Sequence, residues 1–255
     1  MEKKLLNKSA KRFCLAGLIL LAMLEGIFSC KKSGEDCFTS TGSIIRQVRV
    51  VTDFDTIIAR ENVDIILTQD TVNSVEVEAG EKIIGGIKTE IDNRQLLINN
   101  NNTCNWMRSY DKPLNVYVHV KNLRKIYYLS AGNITSTNVL TPASFMLDVW
   151  GGCGSIDLSL NINQGFIYEH MGTADITVRG KAIYNSVVLG DFGFLQLKDL
   201  KTDYTYVSNT GTNDCYVNSG RYLDATIRSI GNIYYMGKPD TIRANITGTG
   251  QLIEF

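Results

Sequence analysis

The chain has 255 residues, of which 44% are hydrophobic, 22 are glycine and six are cysteine. This length suffices for one large domain or two small ones, and the composition excludes a disordered or collagen-like chain. The 26 basic and 26 acidic residues balance. This argues against nucleic-acid binding, because such binding depends on clustered Lys and Arg that neutralise phosphates.

The first 29 residues are typical of an export signal. Basic side chains precede an apolar run from Phe13 to Leu24, which is shorter than the roughly 20 residues that a bilayer-spanning helix needs. The run is followed by Ile27-Phe28-Ser29-Cys30, which resembles the lipobox of bacterial lipoproteins. The resemblance implies that residues 1–29 are removed and that Cys30 is lipidated. The alternative is an ordinary secreted protein that is cleaved elsewhere.

Residues 30–41 are expected to be a lipidated tether, because polar residues follow Cys30 directly. A lipid on Cys30 would hold the protein to a membrane of the cell envelope of a Gram-negative bacterium. The sequence leaves open which membrane carries the anchor, and it leaves the oligomeric state open as well.

Residues 42–125 contain short segments that alternate apolar and polar side chains, separated by turn residues such as Gln69-Asp70 and Asp92-Asn93. No window has a helical period. We predict an antiparallel β meander that caps or merges with the domain that follows and covers an open sheet edge.

Residues 126–255 contain a repeat of about 20 residues. Seven glycines mark it, each 18 to 22 residues after the one before: Gly132, Gly154, Gly172, Gly193, Gly211, Gly231 and Gly250. Such a period, with short alternating strands on both sides of a glycine, is typical of a solenoid whose coils turn at the glycine. The predicted fold class is therefore all-β, with the meander running into a parallel β-helix, which we expect to be right-handed.

The repeat predicts which side chains point inward. Aligning the coils on their glycines puts an apolar or aromatic residue four positions earlier in every coil: Tyr128, Trp150, Tyr168, Leu189, Val207, Ile227 and Ile246. These seven are expected inside. Five positions before the glycine, alternation predicts an outward apolar stripe, which is a candidate binding surface. The alternatives are that the N-terminal meander covers this stripe or that the inward and outward register is shifted. The stripe is Tyr127, Val149, Ile167, Val188 and Tyr206.

Four cysteines besides Cys30 belong to the exported chain. Cys153 and Cys215 lie three coils apart, roughly 14 Å at strand spacing, which is too far for a disulfide. Cys215 falls in an inward column and is expected to be a small core residue. Cys37 and Cys104 both precede the solenoid, and we predict that they form a disulfide.

The segments Phe54-Asp-Thr-Ile57, Val63-Asp-Ile65 and Val116-Tyr-Val118, followed by the serial Gly-x-Ile coils, resemble a bacterial domain family of unknown function, the putative autotransporter adhesins with a head GIN domain. The resemblance covers the whole exported chain. It implies a β-helical envelope protein, in many members a lipoprotein, without an established catalytic residue or cofactor.

Outward acidic residues are the first candidate for catalysis. Asp157 and Asp175 are expected side by side on adjacent coils, with Asp214 farther along, and paired carboxylates could serve acid–base chemistry or hold a cation or a sugar. No Arg, Lys or His accompanies them in that column.

His170 is a second candidate. It is expected beside Asp191 on the next coil, but without a nearby nucleophile. No metal-ligand motif and no cofactor motif is present.

We therefore predict a lipid-anchored, non-catalytic adhesion, binding or scaffold module of the cell envelope. Its expected partners are the membrane, through the lipid, and a glycan or an envelope protein. The alternatives are a carbohydrate-active β-helix enzyme that uses the outward Asp residues, and a structural spacer without a ligand.

Overall fold

A computed structural model of the protein describes residues 40–103 and 112–255. These residues form β-strands and one short 3-10 turn, Ile84–Gly86, and no helix among them is long and apolar enough to cross a membrane. The strands are β1 (Ile44–Arg49), β2 (Thr56–Glu61), β3 (Asp64–Gln69), β4 (Ser74–Gly80), β5 (Ile87–Asp92), β6 (Gln95–Asn100), β7 (Asn115–Val120), β8 (Lys125–Ser130), β9 (Ile134–Ser136), β10 (Ser144–Gly152), β11 (Ser155–Gly172), β12 (Asp175–Leu189), β13 (Phe194–Asn209), β14 (Cys215–Ile227), β15 (Ile233–Met236), β16 (Thr241–Ile246) and β17 (Leu252–Glu254).

From β8 onward the strands stack in parallel as two sheets that share one core. The front sheet consists of β8, β10, the second halves of β11 to β14, and β16. The back sheet consists of β9, the first halves of β11 to β14, β15 and β17. Each long strand thus runs through a corner and belongs to both sheets, as expected for a β-helix with coils of about 20 residues.

Columns of buried side chains explain why these residues stack. The hydrogen-bonded register places one inward residue of every coil above its equivalent in the next, and in the back sheet this column is fully buried. The column is Ile65, Ile134, Ile156, Ile176, Leu195, Cys215 and Ile233. Each aliphatic member contributes about 1.5–3 kcal/mol by leaving water. The predicted core position of Cys215 is confirmed.

The corner glycines form two columns rather than one. The backbone of the preceding coil passes so close that a Cβ on Gly154 would lie 2.4 Å from the Gly132 carbonyl oxygen, and one on Gly172 would lie 2.4 Å from the Gly152 carbonyl oxygen. Gly172 also has a φ of +124°, which side chains disfavour. Gly154 and Gly172 are therefore not equivalent positions, although the spacing of the repeat suggests that they are.

The N-terminal region is a mixed sheet. β2 pairs in parallel with β6 and β8, and β3 pairs in parallel with β7 and β9, so these four pairings extend both sheets of the solenoid. Antiparallel strands close this end: β4 lies on β7, β1 lies on β4, and β5 lies on β6.

The predicted fold class is confirmed, with one difference in the N-terminal region: part of it is parallel. The connection from β2 to β3 is only Asn62-Val63, which the sequence pattern cannot distinguish from a hairpin turn. In the structure it is a corner that moves the chain from the front sheet to the back sheet, and Glu61 adopts a φ of 59° there.

Candidate binding site on the front sheet

The structure separates the residues of the predicted outward stripe. Tyr127 and Val188 are partly exposed on the front sheet, and Tyr206 is 39% exposed in the neighbouring column. Val149 and Ile167 are instead buried at 0% exposure. Their expected outward position is therefore corrected, and the five residues do not form one stripe.

Irregular coils are the physical reason for this correction. In β10 and β11 the corner glycine, Gly152 or Gly172, comes three residues after the last inward side chain, Val149 or Glu169. In the next coil Asp191 takes the place of this glycine and comes only two residues after Leu189. An extra residue of this kind is a bulge, and it reverses the alternation of inward and outward side chains. Trp150, expected inside, is consequently 38% exposed, and Tyr168, also expected inside, is partly exposed.

The structure also separates the predicted acidic residues. Asp175 lies opposite Ser155 rather than Asp157, because Gly172 and Gly154 belong to different glycine columns. Asp157 forms a two-pronged ion pair with Arg179 of the adjacent coil, Nη2 lying 3.1 Å from Oδ2. The expectation of an Asp157–Asp175 pair is therefore corrected. The basic partner of Asp157 comes from a neighbouring column, because Arg179 lies opposite Ser159.

Asp214 lies apart from both of these carboxylates. Its Oδ1 accepts a hydrogen bond from the backbone N–H of Asn232 at 3.0 Å. This contact ties Asp214 to the next coil of the back sheet, so its carboxylate supports the stacking of the coils.

The cysteines divide into two groups. Cys153 and Cys215 are unbonded, Cys153 exposed and Cys215 buried, and burial raises the pKa of the Cys215 thiol to about 12. Cys30, Cys37 and Cys104 lie outside the described residues, so the predicted lipidation and the predicted disulfide stay predictions.

The outer surface of the front sheet carries a continuous row of aromatic rings, here called the aromatic path. Its ring centroids are 6.2 Å apart between Tyr168 and Phe166, 6.0 Å between Phe166 and Tyr184, 5.3 Å between Tyr184 and Tyr206, and 5.5 Å between Tyr206 and Tyr222. The path crosses β11, β12, β13 and β14, one strand at each step after Phe166. All five rings are partly exposed.

A hydrogen-bonded cluster, here called the Asp148 cluster, continues the path at the β10 end. Asp148 is 8% exposed, and its Oδ2 accepts from Lys125 Nζ at 2.7 Å. Its Oδ1 accepts from Trp150 Nε1 at 2.8 Å and lies 3.1 Å from His170 Nε2. The Trp150 and His170 rings stack with centroids 4.1 Å apart, and His170 meets the Tyr168 ring edge-on at 6.0 Å.

The cluster exists because of the two bulges. The extra residue in β10 turns Trp150 outward, and the extra residue in β11 leaves His170 next to it on the same surface. The expected pairing of His170 with Asp191 is corrected: His170 contacts Asp148, and Asp191 Oδ2 accepts from the Gly172 backbone N–H at 3.1 Å. One buried carboxylate thus fixes the orientation of an exposed indole, which preorganises the surface for a ligand.

Charges on this surface balance. From β8 to β16, the three outward columns that contain Phe166, Tyr168 and Tyr184 hold four charged side chains, which are Lys125, Arg243, Asp148 and Asp224. Lys125 pairs with Asp148, and the Arg243 guanidinium lies 5.8 Å from the centroid of the Tyr222 ring. Tyr222 donates its hydroxyl to Asp224 at 3.2 Å.

Two shallow grooves lie near the corners of the solenoid. One, of about 310 Å³, adjoins Phe166 and is bordered by Lys125, Met146 and Arg124. The other, of about 550 Å³, follows the polar corner between the sheets and includes Lys181, Lys201 and Asp203. Within residues 40–103 and 112–255, no cluster of three or more His, Cys, Asp or Glu side chains could hold a metal ion.

Sequence reasoning reached only part of this site. Tyr206 was in the predicted stripe, whereas the Asp148 cluster and most of the aromatic path were missed. The sequence does contain a signal for the rest of the site, which is the first apolar residue of each back-sheet strand. Aligning the coils on these residues, rather than on every glycine, reveals the extra residues before Gly152 and Gly172. The residues are Ile134, Ile156, Ile176 and Leu195.

Comparisons with known proteins agree on the fold. A family model described as putative auto-transporter adhesin, head GIN domain, matches residues 53–239. A putative adhesin from Bacteroides fragilis superimposes with a TM-score of 0.77 at 20% identity, over 84% of this chain and 97% of that one. No curated protein matches the chain.

Two solved structures from Parabacteroides distasonis are similar as well. A putative adhesin has a TM-score of 0.61 at 19% identity, over 84% of this chain and 98% of that one. A protein titled putative lipid binding protein has a TM-score of 0.64 at 16% identity, over 85% of this chain and 98% of that one. At these identities the likeness establishes a shared fold.

Proposed function

We propose that this chain, which belongs to the family of putative auto-transporter adhesins with a head GIN domain, is a non-catalytic binding module of the cell envelope. The binding surface in this proposal is the aromatic path together with the Asp148 cluster. A lipid on Cys30 would hold the module at the membrane.

The observation that carries the proposal is the unbroken series of ring contacts from Trp150 to Tyr222 across neighbouring coils. Exposed aromatic rings supply a large contact area at a small cost in side-chain entropy. A contiguous exposed patch of this kind usually meets a partner. The β-helix backbone holds the rings in place, and repeat proteins use such extended surfaces for long ligands.

The arrangement of the carboxylates gives the enzymatic alternative less support. Acid–base hydrolysis of a glycosidic bond uses two carboxyl groups that flank the bond. Asp157 is held by Arg179, Asp175 lies in another column, and Asp214 is bonded to the backbone of a neighbouring coil. Turnover lost in an Asp157→Asn variant would favour the enzyme over the binding module.

Binding can be tested with the full chain, purified from membranes in a polyoxyethylene detergent that carries no sugar. We expect it to bind at least one component of a panel of immobilised glycans, mucin, collagen and fibronectin. Binding should be lost in a Tyr184→Ala/Tyr206→Ala variant. The matched control is Tyr234→Ala, which removes a ring of the stacked Tyr216–Tyr234 pair on the back sheet.

The outcomes separate the proposals. Binding that depends on Tyr184 and Tyr206 and leaves every glycan uncleaved supports the binding module. Failure of the wild-type chain to bind anything in the panel, or equal losses in the front-sheet variant and in Tyr234→Ala, would contradict it and favour a structural spacer.

The lipid anchor needs its own experiment, because Cys30 lies outside the described residues. In cells fed an alkyne-tagged fatty acid, the wild-type chain should become labelled, and a Cys30→Ser variant should not. Equal labelling of both chains would exclude Cys30 as the lipidated residue.

A further inference from the structure

We infer that the ligand of the aromatic path is a neutral polysaccharide, whose chain lies across the strands and follows the stacking direction of the coils. This inference rests on the proposed binding function of the same surface and adds the chemical class of the ligand.

The spacing of the rings is the first argument. After Phe166, the path advances by one ring per coil, with centroid steps of 6.0, 5.3 and 5.5 Å to Tyr184, Tyr206 and Tyr222. The steps follow from the strand spacing of about 4.8 Å. An extended hexose chain repeats over a similar length, so successive sugar rings can meet successive aromatic rings. A periodic surface thus matches a periodic ligand.

The chemistry of the rings is the second argument. A pyranose ring presents apolar C–H groups on its faces and hydroxyl groups around its rim. Partly exposed tyrosines can contact the C–H faces, while hydroxyl groups next to the rings can bond the rim. The Tyr168 hydroxyl donates to Ser186 Oγ at 3.2 Å beside the path. Ser208 adds a further hydroxyl group, in the same column as Tyr168 and Val188.

The balance of charge is the third argument, and it selects a neutral polymer. Lys125 is neutralised by Asp148 at 2.7 Å, and Arg243 and Asp224 face each other on neighbouring strands. The outer columns therefore present neither the excess of positive charge that would attract an acidic polysaccharide nor an excess of negative charge.

The Asp148 cluster supplies a fixed end to the path. Trp150 is held by its indole N–H and by stacking on His170, so its exposed face is set before a ligand arrives. A ligand that stacks there loses little free energy to ordering of the protein. We therefore expect one end of the bound segment to lie on Trp150.

The test is affinity electrophoresis of the full chain in native gels that contain a single dissolved polysaccharide. The neutral probes are barley β-glucan, xyloglucan, yeast mannan and pullulan, and the acidic probes are alginate and polygalacturonate. We expect at least one neutral probe to retard the wild-type chain. The apparent affinity should fall about tenfold or more in Tyr184→Ala/Tyr206→Ala, in line with the loss of two ring contacts.

Two further variants test whether unfolding, rather than the loss of ring contacts, causes the weaker retardation of the double variant. Tyr206→Ala alone removes a ring that is already 39% exposed, so it should keep the fold and still weaken retardation. Trp150→Ala should weaken it independently. Tyr234→Ala on the back sheet should migrate like the wild-type chain, and the thermal unfolding midpoint of each variant is measured in parallel.

The outcomes also distinguish this inference from the proposed function. If only the acidic probes retard the chain, the inference is overturned and the binding module stands. The same conclusion follows if mucin, collagen or fibronectin binds through Tyr184 and Tyr206 and no neutral polysaccharide does. If no ligand depends on these tyrosines, both fall.

Discussion

The interior of the back sheet and the interior at the glycine corner bury different kinds of side chain. The back-sheet column from Ile65 to Ile233 is wholly apolar, whereas the column beside the corner contains Tyr128, Glu169 and Asn209. In the strands, the backbone groups are paired by the neighbouring coil. At the corner the chain leaves the ladder, and buried amides and carbonyls need side-chain partners.

Each polar residue at the corner has such a role. Asn209 donates to the carbonyls of Asn213 and Asn232 at 2.9 and 3.1 Å and accepts from the Gly211 N–H at 3.0 Å. Tyr128 donates to the Gly132 carbonyl at 2.7 Å in an equivalent way. The β-helix thus tolerates buried polar side chains where its backbone turns.

The largest effect is expected from the apolar column. Ile176→Ala removes a fully buried side chain between Ile156 and Leu195. The rigid stack cannot close the cavity, so the free energy of unfolding should fall by about 2–5 kcal/mol. Urea denaturation followed by circular dichroism measures this. Thr177→Ala, the outward neighbour, should change stability little, and equal losses in both variants would contradict the assigned register.

A smaller effect is expected at the corner. Asn209→Ala leaves one backbone N–H and two carbonyls without their side-chain partner, at a cost of about 1–3 kcal/mol. Asn209→Leu tests directly whether the corner needs a polar side chain. This variant restores apolar volume but no hydrogen bonds, so it should remain less stable than the wild-type chain. A Leu variant more stable than wild type would show that the corner does not need a polar partner.

The buried carboxyl group of Glu169 makes the stability of the corner depend on pH. Its Oε2 accepts the Gly190 and Asp191 N–H groups at 3.1 Å, yet burial raises the pKa of this carboxyl above the ordinary value of 4.5. The folded state therefore binds the proton more tightly than the unfolded state does. The resulting stabilisation is fully present below pH 4.5 and is lost as pH rises through the folded-state pKa.

Glu169→Gln should remove this dependence. Relative to wild type, the variant's thermal unfolding midpoint should rise as pH increases from 4.5 to 8, because only the wild-type chain acquires a buried charge. Glu90→Gln at an exposed position serves as the control. A difference between Glu169→Gln and wild type that does not change with pH would exclude this explanation.

The smallest effect is expected outside the core. Arg179→Ala breaks the exposed ion pair with Asp157, whose two side chains are 45% and 44% exposed. Solvent screens such pairs, so the loss should be about 1 kcal/mol or less and should shrink in high salt. Urea denaturation at low and high salt measures it, and a loss as large as that of Ile176→Ala would overturn this ranking.

Part of the architecture could be predicted from local pattern alone. Alternating apolar residues and a glycine about every 20 positions are sufficient for parallel coils, and the inward position of Cys215 follows from the same alternation. The candidate binding site was harder to predict from the sequence. Coil lengths vary between 18 and 22 residues, so counting from a glycine placed Val149 outside and Trp150 inside, and the structure reverses both.

Fold class, family and part of the apolar columns follow from the sequence alone, because alternation and turn residues act over a few neighbouring positions. The register between coils is a property of the tertiary structure. That register is set by hydrogen bonds and packing between residues about 20 positions apart, and two bulges of one residue each reverse the direction of the side chains that follow. These bulges bring Trp150 and His170 together on Asp148 and join them to the aromatic path.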